Sequence, residues 1–426
     1  MDYQLVIIGA GPAGYTAALL AASKKIKTAL IDRNLSRIGG TCLNEGCIPL
    51  KGLLHESVRG RSMAEVISHV MEKTGGIRNG LIARLKAAGV DLIEAEAVFT
   101  SKTSISAGGR IITANDFLIA AGSKPMRLFD SPAVKPSDFI FTLSEKPESA
   151  LIIGGGVIGC EYASYLNNMG VKVTIAEARD SILSGEDSES VRMLSREFKK
   201  KGVRVLAPCR ITGITGDAAV SFETVDEKFG LIIEATGRTA DTAGLGLEYA
   251  GVETDGKGFI RVNEKGETNI KNIYAAGDCI ATPMLAYTAY KEAENVIASI
   301  THGKAHAIDY AKMPRLVFSS PQLGGCGATE DALKAAGAEY TVYKYFFKAI
   351  GKAVVEGEDT GFVKLLSEGG IITGASVVGA HAAEIVNELS VIINAGLSVE
   401  KVKDIMHIHP SYGEIIAEAL LFGKSN

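Results

Sequence analysis

No run of apolar residues in the 426-residue chain approaches the ~18 that a bilayer-spanning helix needs. The first residues, Met1, Asp2, Tyr3 and Gln4, lead straight into a strand pattern without a basic segment, so no signal peptide is expected. Neither sign of charge is in excess. Lys and Arg number 45 against 49 Asp and Glu, a formal net charge of −4. That gives no electrostatic case for nucleic acid or an anionic membrane as partner. Cysteine is sparse: Cys42, Cys47, Cys160, Cys209, Cys279 and Cys326, of which only the first two stand close together. This excludes the disulfide framework of a small secreted protein. Tryptophan is missing, which by itself excludes nothing. These absences predict a cytoplasmic protein.

What is present is ordinary in bulk and pointed in detail. The chain is 46% hydrophobic and 22% charged, as a globular protein is, and its length allows two to four domains. Its 48 glycines suit tight turns and close backbone–ligand approach. The stretch from Gly39 to Lys51 holds Cys42 and Cys47 after a glycine pair and before Pro49. A straight helix would put their Cα atoms roughly 8–9 Å apart, whereas a disulfide needs less than about 7 Å. Gly46 and Pro49 permit the bend that a bridge requires. A bridge so strained is easily reduced. Two buried free thiols are the other reading of this spacing.

The segment Leu5 to Ile8 reads as a buried parallel strand. Gly9, Gly11 and Gly14 form G-x-G-x-x-G, a helical pattern follows to Ser23, and the next apolar strand ends at Asp32. Such glycines let backbone N–H groups reach a pyrophosphate at a helix N-terminus, and the acid accepts from a ribose diol. From Leu53 to Val90 the pattern is helical with a polar break at Thr74 to Gly76. Strand-like pieces follow at Leu92–Ile93 and Ile111–Ile112, and the block ends at Phe117 to Pro125, with Gly122 in it. The stretch Ser131 to Pro147 reads as a connection. Then the first unit repeats: strand Leu151 to Ile153, glycines Gly154, Gly156 and Gly159, a helix from Cys160, and strand Val171 to Ile175 with Glu177 behind it. Two fingerprints predict two dinucleotides. Glu177 suits the free 2′-hydroxyl of NAD and would repel the 2′-phosphate of NADP, though Arg179 is near. The unit closes at Gly237 and Arg238.

The order of these motifs resembles the pyridine nucleotide-disulfide oxidoreductases over nearly the whole chain. Gly-Gly-Thr-Cys-Leu-Asn-x-Gly-Cys-Ile-Pro-x-Lys is similar to the family's redox-active segment, most of all in its dihydrolipoamide dehydrogenase branch. Glu45, Leu50, Ala121, Thr282 and Tyr287 depart from the usual pattern, and the chain is somewhat short. The resemblance implies an α/β fold with two Rossmann-like dinucleotide-binding domains and a C-terminal α+β dimerisation domain. The implied divisions are 1–143 for FAD with the redox cysteines, 144–270 for NAD, 271–308 returning to FAD, and 309–426 for the interface.

Further roles come with the resemblance. Cys42 and Cys47 form a redox-active disulfide, Cys42 exchanging with substrate and Cys47 facing the flavin. Lys51 pairs with Glu161 beside the flavin. Gly277 and Asp278 belong to a second flavin motif, and Met284, Leu285 and Ala286 open a helix toward the ring. His409, in His-Pro-x-x-x-Glu with Glu414, transfers the proton and reaches the partner chain's disulfide, the His409–Pro410 bond being a candidate for cis; His407 is structural. The implied cofactors are FAD and NAD. The implied partners are dihydrolipoamide, or the lipoyl domain of a 2-oxoacid dehydrogenase or glycine cleavage complex, and a second copy of the chain. Rival readings are a reductase of another small disulfide and a flavoprotein subunit without catalysis. Mercuric reductase is disfavoured, because the tail Leu421 to Asn426 lacks a cysteine pair. Zinc on Cys42, Cys47, His407 and His409 is not expected, since it would consume both thiols.

Overall fold

The computed structural model describes residues 1–426 except Thr224, Lys304 and Asn426, so the last residue of the tail lies outside the described residues. Its first sheet is built on Tyr3–Ile8, paired in parallel with Thr28–Asp32 on one side and Arg110–Ile119 on the other. Leu5, Val6 and Ile7 are completely buried because helices or strands cover both faces. The strand Ile273–Ala275 returns from far along the chain to pair with Arg110–Ile119. A second parallel sheet places Ser149–Ile153 between Lys172–Ala176 and Leu231–Glu234. The stretch expected as a connection supplies an edge strand to this sheet: Val134–Pro136 pairs with Leu231–Glu234. A short antiparallel pair, Ser123–Pro125 with Arg238–Ala240, joins the two units.

The repeat is physical as well as sequential. Helices Pro12–Ser23 and Val157–Asn168 follow their strands through N-cap glycines of the same backbone shape, φ −74° and ψ −172° at Gly11, φ −75° and ψ −170° at Gly156. A Cβ on Gly14 would lie 1.8 Å from the Gly9 carbonyl oxygen, and one on Gly159 2.0 Å from that of Gly154. The third glycine therefore lets the helix close onto the turn.

The polar break expected at Thr74 to Gly76 is not there. Helix Met63–Ala87 runs through it, started by a capping box of Ser62 and Glu65. Thr74 turns its hydroxyl back to the Met71 carbonyl at 3.0 Å. Packing of Val66, Ile67 and Val70 outweighs the roughly 1 kcal/mol each glycine costs a helix. The interruption falls earlier, between helices Cys47–Glu56 and Met63–Ala87.

The final block is a six-stranded antiparallel sheet with helices Ala382–Asn394 and Glu414–Phe422 packed on it through Ile385, Leu389, Ile415 and Ile416. A buried ion cluster fastens it to the second nucleotide unit. Lys364, 1% exposed, sends its ammonium to Asp187 and Glu330 at 2.7 Å each and to Glu189 at 3.4 Å. Burial works against the Glu330 charge, but the Lys334 and Lys364 ammoniums hold its carboxyl down at about 2. Lys364→Met should cost about 3–5 kcal/mol, because it strands Asp187 without its cation. Since Glu330 titrates lower folded than unfolded, its share of the stability is present above its ordinary 4.5 and lost as pH falls toward 2. Thermal melts of the two holoproteins should differ widely at pH 7 and less at pH 3; equal melts at pH 7 would refute the assignment.

Candidate active site: two glycine turns and a cysteine pair on one cavity

One cavity of about 2470 Å³ connects both glycine turns and the cysteines. It exceeds the roughly 300–1,000 Å³ that suits a single small ligand. Gly9, Gly11, Asp32, Cys42, Cys47, Lys51 and Gly122 line its first half; Gly154, Gly156, Glu161, Glu177 and Gly237 line its second. Gly277, Asp278, Met284, Leu285 and Ala286 complete the wall. Gly14 and Gly159, expected to touch nucleotide, do not line it; they lie beneath the turns for the packing reason given above.

The two acids repeat each other's bonds. Asp32 accepts from the Ala10 N–H at 2.7 Å and the Asn34 N–H at 3.0 Å. Glu177 accepts from Gly155 N–H at 2.7 Å and Arg179 N–H at 2.8 Å. Each carboxylate is thus fixed beside its glycine turn with lone pairs to spare. Arg179 itself turns aside to Ser184, at 2.5 Å.

The cysteines sit across a broken helix. Gly40–Asn44 stops at Glu45, and Cys47–Glu56 starts after Gly46. A Cβ on Gly46 would lie 2.8 Å from the Thr41 carbonyl oxygen, so the bend needs glycine there. Asn44 ties the bend down by donating to the carbonyls of Arg37 and Gly40, both at 2.8 Å. Both cysteines carry free thiols rather than a bridge. Their side chains are close enough for Cys42 to share its proton with Cys47 as a hydrogen bond. That bond from Cys42, opposed by burial and helped by the Lys51 ammonium, brings the Cys47 thiol down to about 7. The same bond, with burial, holds Cys42 well above the ordinary thiol range. Lys51 donates to both oxygens of the buried Glu161, at 3.0 and 2.8 Å, and lies 4.7 Å over the Phe318 ring.

Two site groups escaped the sequence reading. Arg238 donates to Ser123 through Nε and Nη2, both at 2.7 Å, and the Ser123 hydroxyl donates to Asp278 at 2.6 Å. Buried Glu292 accepts from the Gly277 N–H at 2.7 Å and the Tyr310 hydroxyl at 2.9 Å. The departures from pattern are accommodated: Glu45 pairs with Arg37, Leu50 is buried, and Tyr287 donates to the Pro314 carbonyl at 2.6 Å. His409 faces Glu414 across 3.1 Å, but its side chain is 81% exposed and neither residue lines the cavity. The His409–Pro410 bond is cis. His407 meets Glu388 at 2.7 Å. Among the described residues no group of three His, Cys, Asp or Glu is placed to hold a metal.

Two observations test the fit to dinucleotides. Neither glycine-turn helix has a side-chain cap or an acid in its first turn, so the first N–H groups are left for an outside anion. A Cβ on Gly122, Gly156 or Gly237 would meet nothing within 4 Å, so space lies open above these backbones. The residues fit two dinucleotides with a thiol pair between them, which defines a flavin- and nicotinamide-using disulfide oxidoreductase.

The chain belongs to the family described as pyridine nucleotide-disulphide oxidoreductase, whose sequence model matches residues 3–293; the family's dimerisation domain matches residues 313–420. It is 33% identical to a dihydrolipoyl dehydrogenase of Chlamydia pneumoniae over 460 aligned positions, covering 100% of this chain and 98% of that one. Identity to the human mitochondrial dihydrolipoyl dehydrogenase is also 33%, over 100% and 92% of the two chains. The HOCl-induced flavoprotein disulfide reductase RclA of Escherichia coli superposes with a TM-score of 0.94 at 28% identity, over 99% of each chain. LpdA of Mycobacterium tuberculosis, at 24% identity and a TM-score of 0.91 over 98% of each, shares the fold. The protein is an oxidoreductase that uses FAD and NAD. No helix among the described residues is long and apolar enough to cross a membrane.

Proposed function

We propose that this protein oxidises dihydrolipoamide to lipoamide and reduces NAD, in the cytoplasm and as a homodimer. The units in this reading are 1–143 and 271–308 for FAD, 144–270 for NAD and 309–426 for the interface. The observation that carries it is the thiol pair with Lys51 and Glu161, set between two glycine turns on one cavity. The dihydrolipoyl dehydrogenase names of the relatives support the substrate. Flavin and nicotinamide, when bound, supply the two-electron chemistry that no side chain here can perform.

The protein's own residues handle protons and sulfur. Glu414 accepts from Nδ1–H of His409 and leaves Nε2 free to take a proton from a substrate thiol. The thiolate so formed attacks Cys42 of the oxidised pair. A substrate–Cys42 bond forms, the Cys42–Cys47 bond breaks, and Cys47 departs with the electron pair. Lys51 stabilises the Cys47 thiolate. The second substrate thiol then displaces Cys42, forming the lipoamide S–S bond as the substrate–Cys42 bond breaks, and its proton passes to the departing Cys42 sulfur.

A second reading is the reduction of another small disulfide. Glu45, Leu50 and Tyr287 favour it by their departure from pattern, and the likeness to RclA adds weight. Steady-state NADH oxidation with lipoamide, with glutathione disulfide and with no disulfide separates the two. Preference for lipoamide is expected; preference for another disulfide overturns the substrate, and no turnover of any disulfide overturns the reaction. NAD should be preferred to NADP by tenfold or more, each ~1.4 kcal/mol of phosphate repulsion being tenfold. Glu177→Ala should narrow that ratio, and a wild type that favours NADPH would refute the role of Glu177.

A further inference from the structure

Tyr15 and Tyr290 belong to neither glycine turn, yet they meet each other, and Tyr290 lines the cavity that holds the cysteines. Tyr15 lies in helix Pro12–Ser23 and Tyr290 in helix Ala286–His302. Their hydroxyl oxygens are 2.8 Å apart, with ring centroids at 6.1 Å tilted by 55°. Tyr290 lines the cavity together with Cys42 and Cys47. Burial raises the pKa of both phenols, and charge on either sulfur raises both further. Both hydroxyls therefore stay protonated at neutral pH and lie within electrostatic reach of the thiols.

A hydroxyl has one proton to donate and two lone pairs. The pair spends one O–H between its members. Among the described residues neither hydroxyl has a further side-chain or backbone partner. One O–H is left over at a half-buried position. Two stacked phenylalanines would fill this space without the cost of sheltering hydroxyls. A chain of two hydroxyls makes the terminal O–H a stronger donor. Being neutral, it also does not compete with Lys51 for the Cys47 thiolate, as an ammonium would.

We propose that Tyr290, oriented by Tyr15, is a substrate-contact residue that donates its O–H to the sulfur of a small dithiol or disulfide while that sulfur is joined to, or leaving, Cys42. The inference rests on the disulfide-exchange reading above. It assigns Tyr290 to the contact and Tyr15 to positioning. No proton changes hands in the step: the hydrogen bond strengthens as negative charge gathers on the substrate sulfur and weakens when that charge passes on.

The test is Tyr290→Phe in the FAD-loaded enzyme, with rates taken per bound flavin. A hydrogen bond to a charged sulfur predicts a loss of roughly tenfold or more in kcat/KM for lipoamide, carried by kcat rather than by KM. NADH oxidation by ferricyanide, which takes electrons without sulfur exchange, should stay unchanged. Tyr15→Phe should show a smaller loss of the same kind, and the double variant should match Tyr290→Phe alone. Equal lipoamide kinetics in Tyr290→Phe and an active wild type overturn the inference while leaving the disulfide reading intact. Equal losses with lipoamide and ferricyanide also overturn it, since they mark a general disturbance of the flavin. A wild type inert toward every dithiol and disulfide, yet active with ferricyanide, overturns the disulfide reading and this inference with it.

Discussion

Cys47→Ser should reduce disulfide turnover to background and remove the long-wavelength charge-transfer absorbance of the NADH-reduced enzyme. Cys42→Ser should lose turnover equally, yet show that absorbance before any reductant is added. The asymmetry follows from the electrostatics of the pair. Cys47 is the sulfur whose thiol is brought down to about 7, by the hydrogen bond from Cys42 and then by Lys51 against the opposition of burial. Cys42 is pushed the other way by donating that bond and by burial. With one proton between two sulfurs, the charge therefore rests on Cys47. In Cys42→Ser a hydroxyl stands where the thiol stood and can donate to Cys47, so the absorbance should grow as pH rises through a midpoint below the ordinary thiol value. Removing the cation with Lys51→Met should move that midpoint upward, because the thiolate loses a favourable charge. Identical spectra for the two cysteine variants, or a midpoint indifferent to Lys51, would remove the assigned roles.

The features that were legible in the sequence share one property: their chemistry is local. A strand, three glycines and an acid about 20 positions on are enough to specify a nucleotide turn, because all of them act on one stretch of backbone. The same holds for the bend at Gly46, forced by a contact with Thr41 only five positions away. What stayed illegible depends on partners that only the fold brings in. Arg238 and Ser123 are 115 positions apart, Ser123 and Asp278 are 155 apart, and Tyr15 and Tyr290 are 275 apart. An isolated arginine after a glycine carries no sign of the serine it will clamp. The helix through Thr74 to Gly76 is the converse case. There local propensity is weak, and the burial of its neighbours overrides it. Gly14 and Gly159 show a third limit: spacing identifies the motif but does not say which of its glycines faces the ligand and which faces the helix.

Mixing inactive Cys42→Ser and His409→Gln homodimers under conditions that exchange subunits should restore activity, up to about half of wild type per heterodimer. Within one chain the proposed proton carrier and the proposed exchange sulfur do not share a site. Cys42 lines the cavity, while His409 does not and is 81% exposed. Yet His409 already has its orienting carboxylate in place at 3.1 Å, an arrangement of little use to a histidine that faces only water. The chain leading to it is apolar for an exposed stretch: Met406 is 96% exposed and Ile408 80%. Such a patch is suited to burial against another protein surface. It lies in the block matched by the dimerisation domain. A two-fold axis through that block would carry His409 of each chain toward the cavity of the other and bury the patch in the same act, making two equivalent composite sites. In a heterodimer of the two variants, one composite site then carries both lesions and the other carries neither. If each chain instead folded His409 back onto its own Cys42, every site would keep one lesion, and heterodimers confirmed by differential tagging would remain inactive.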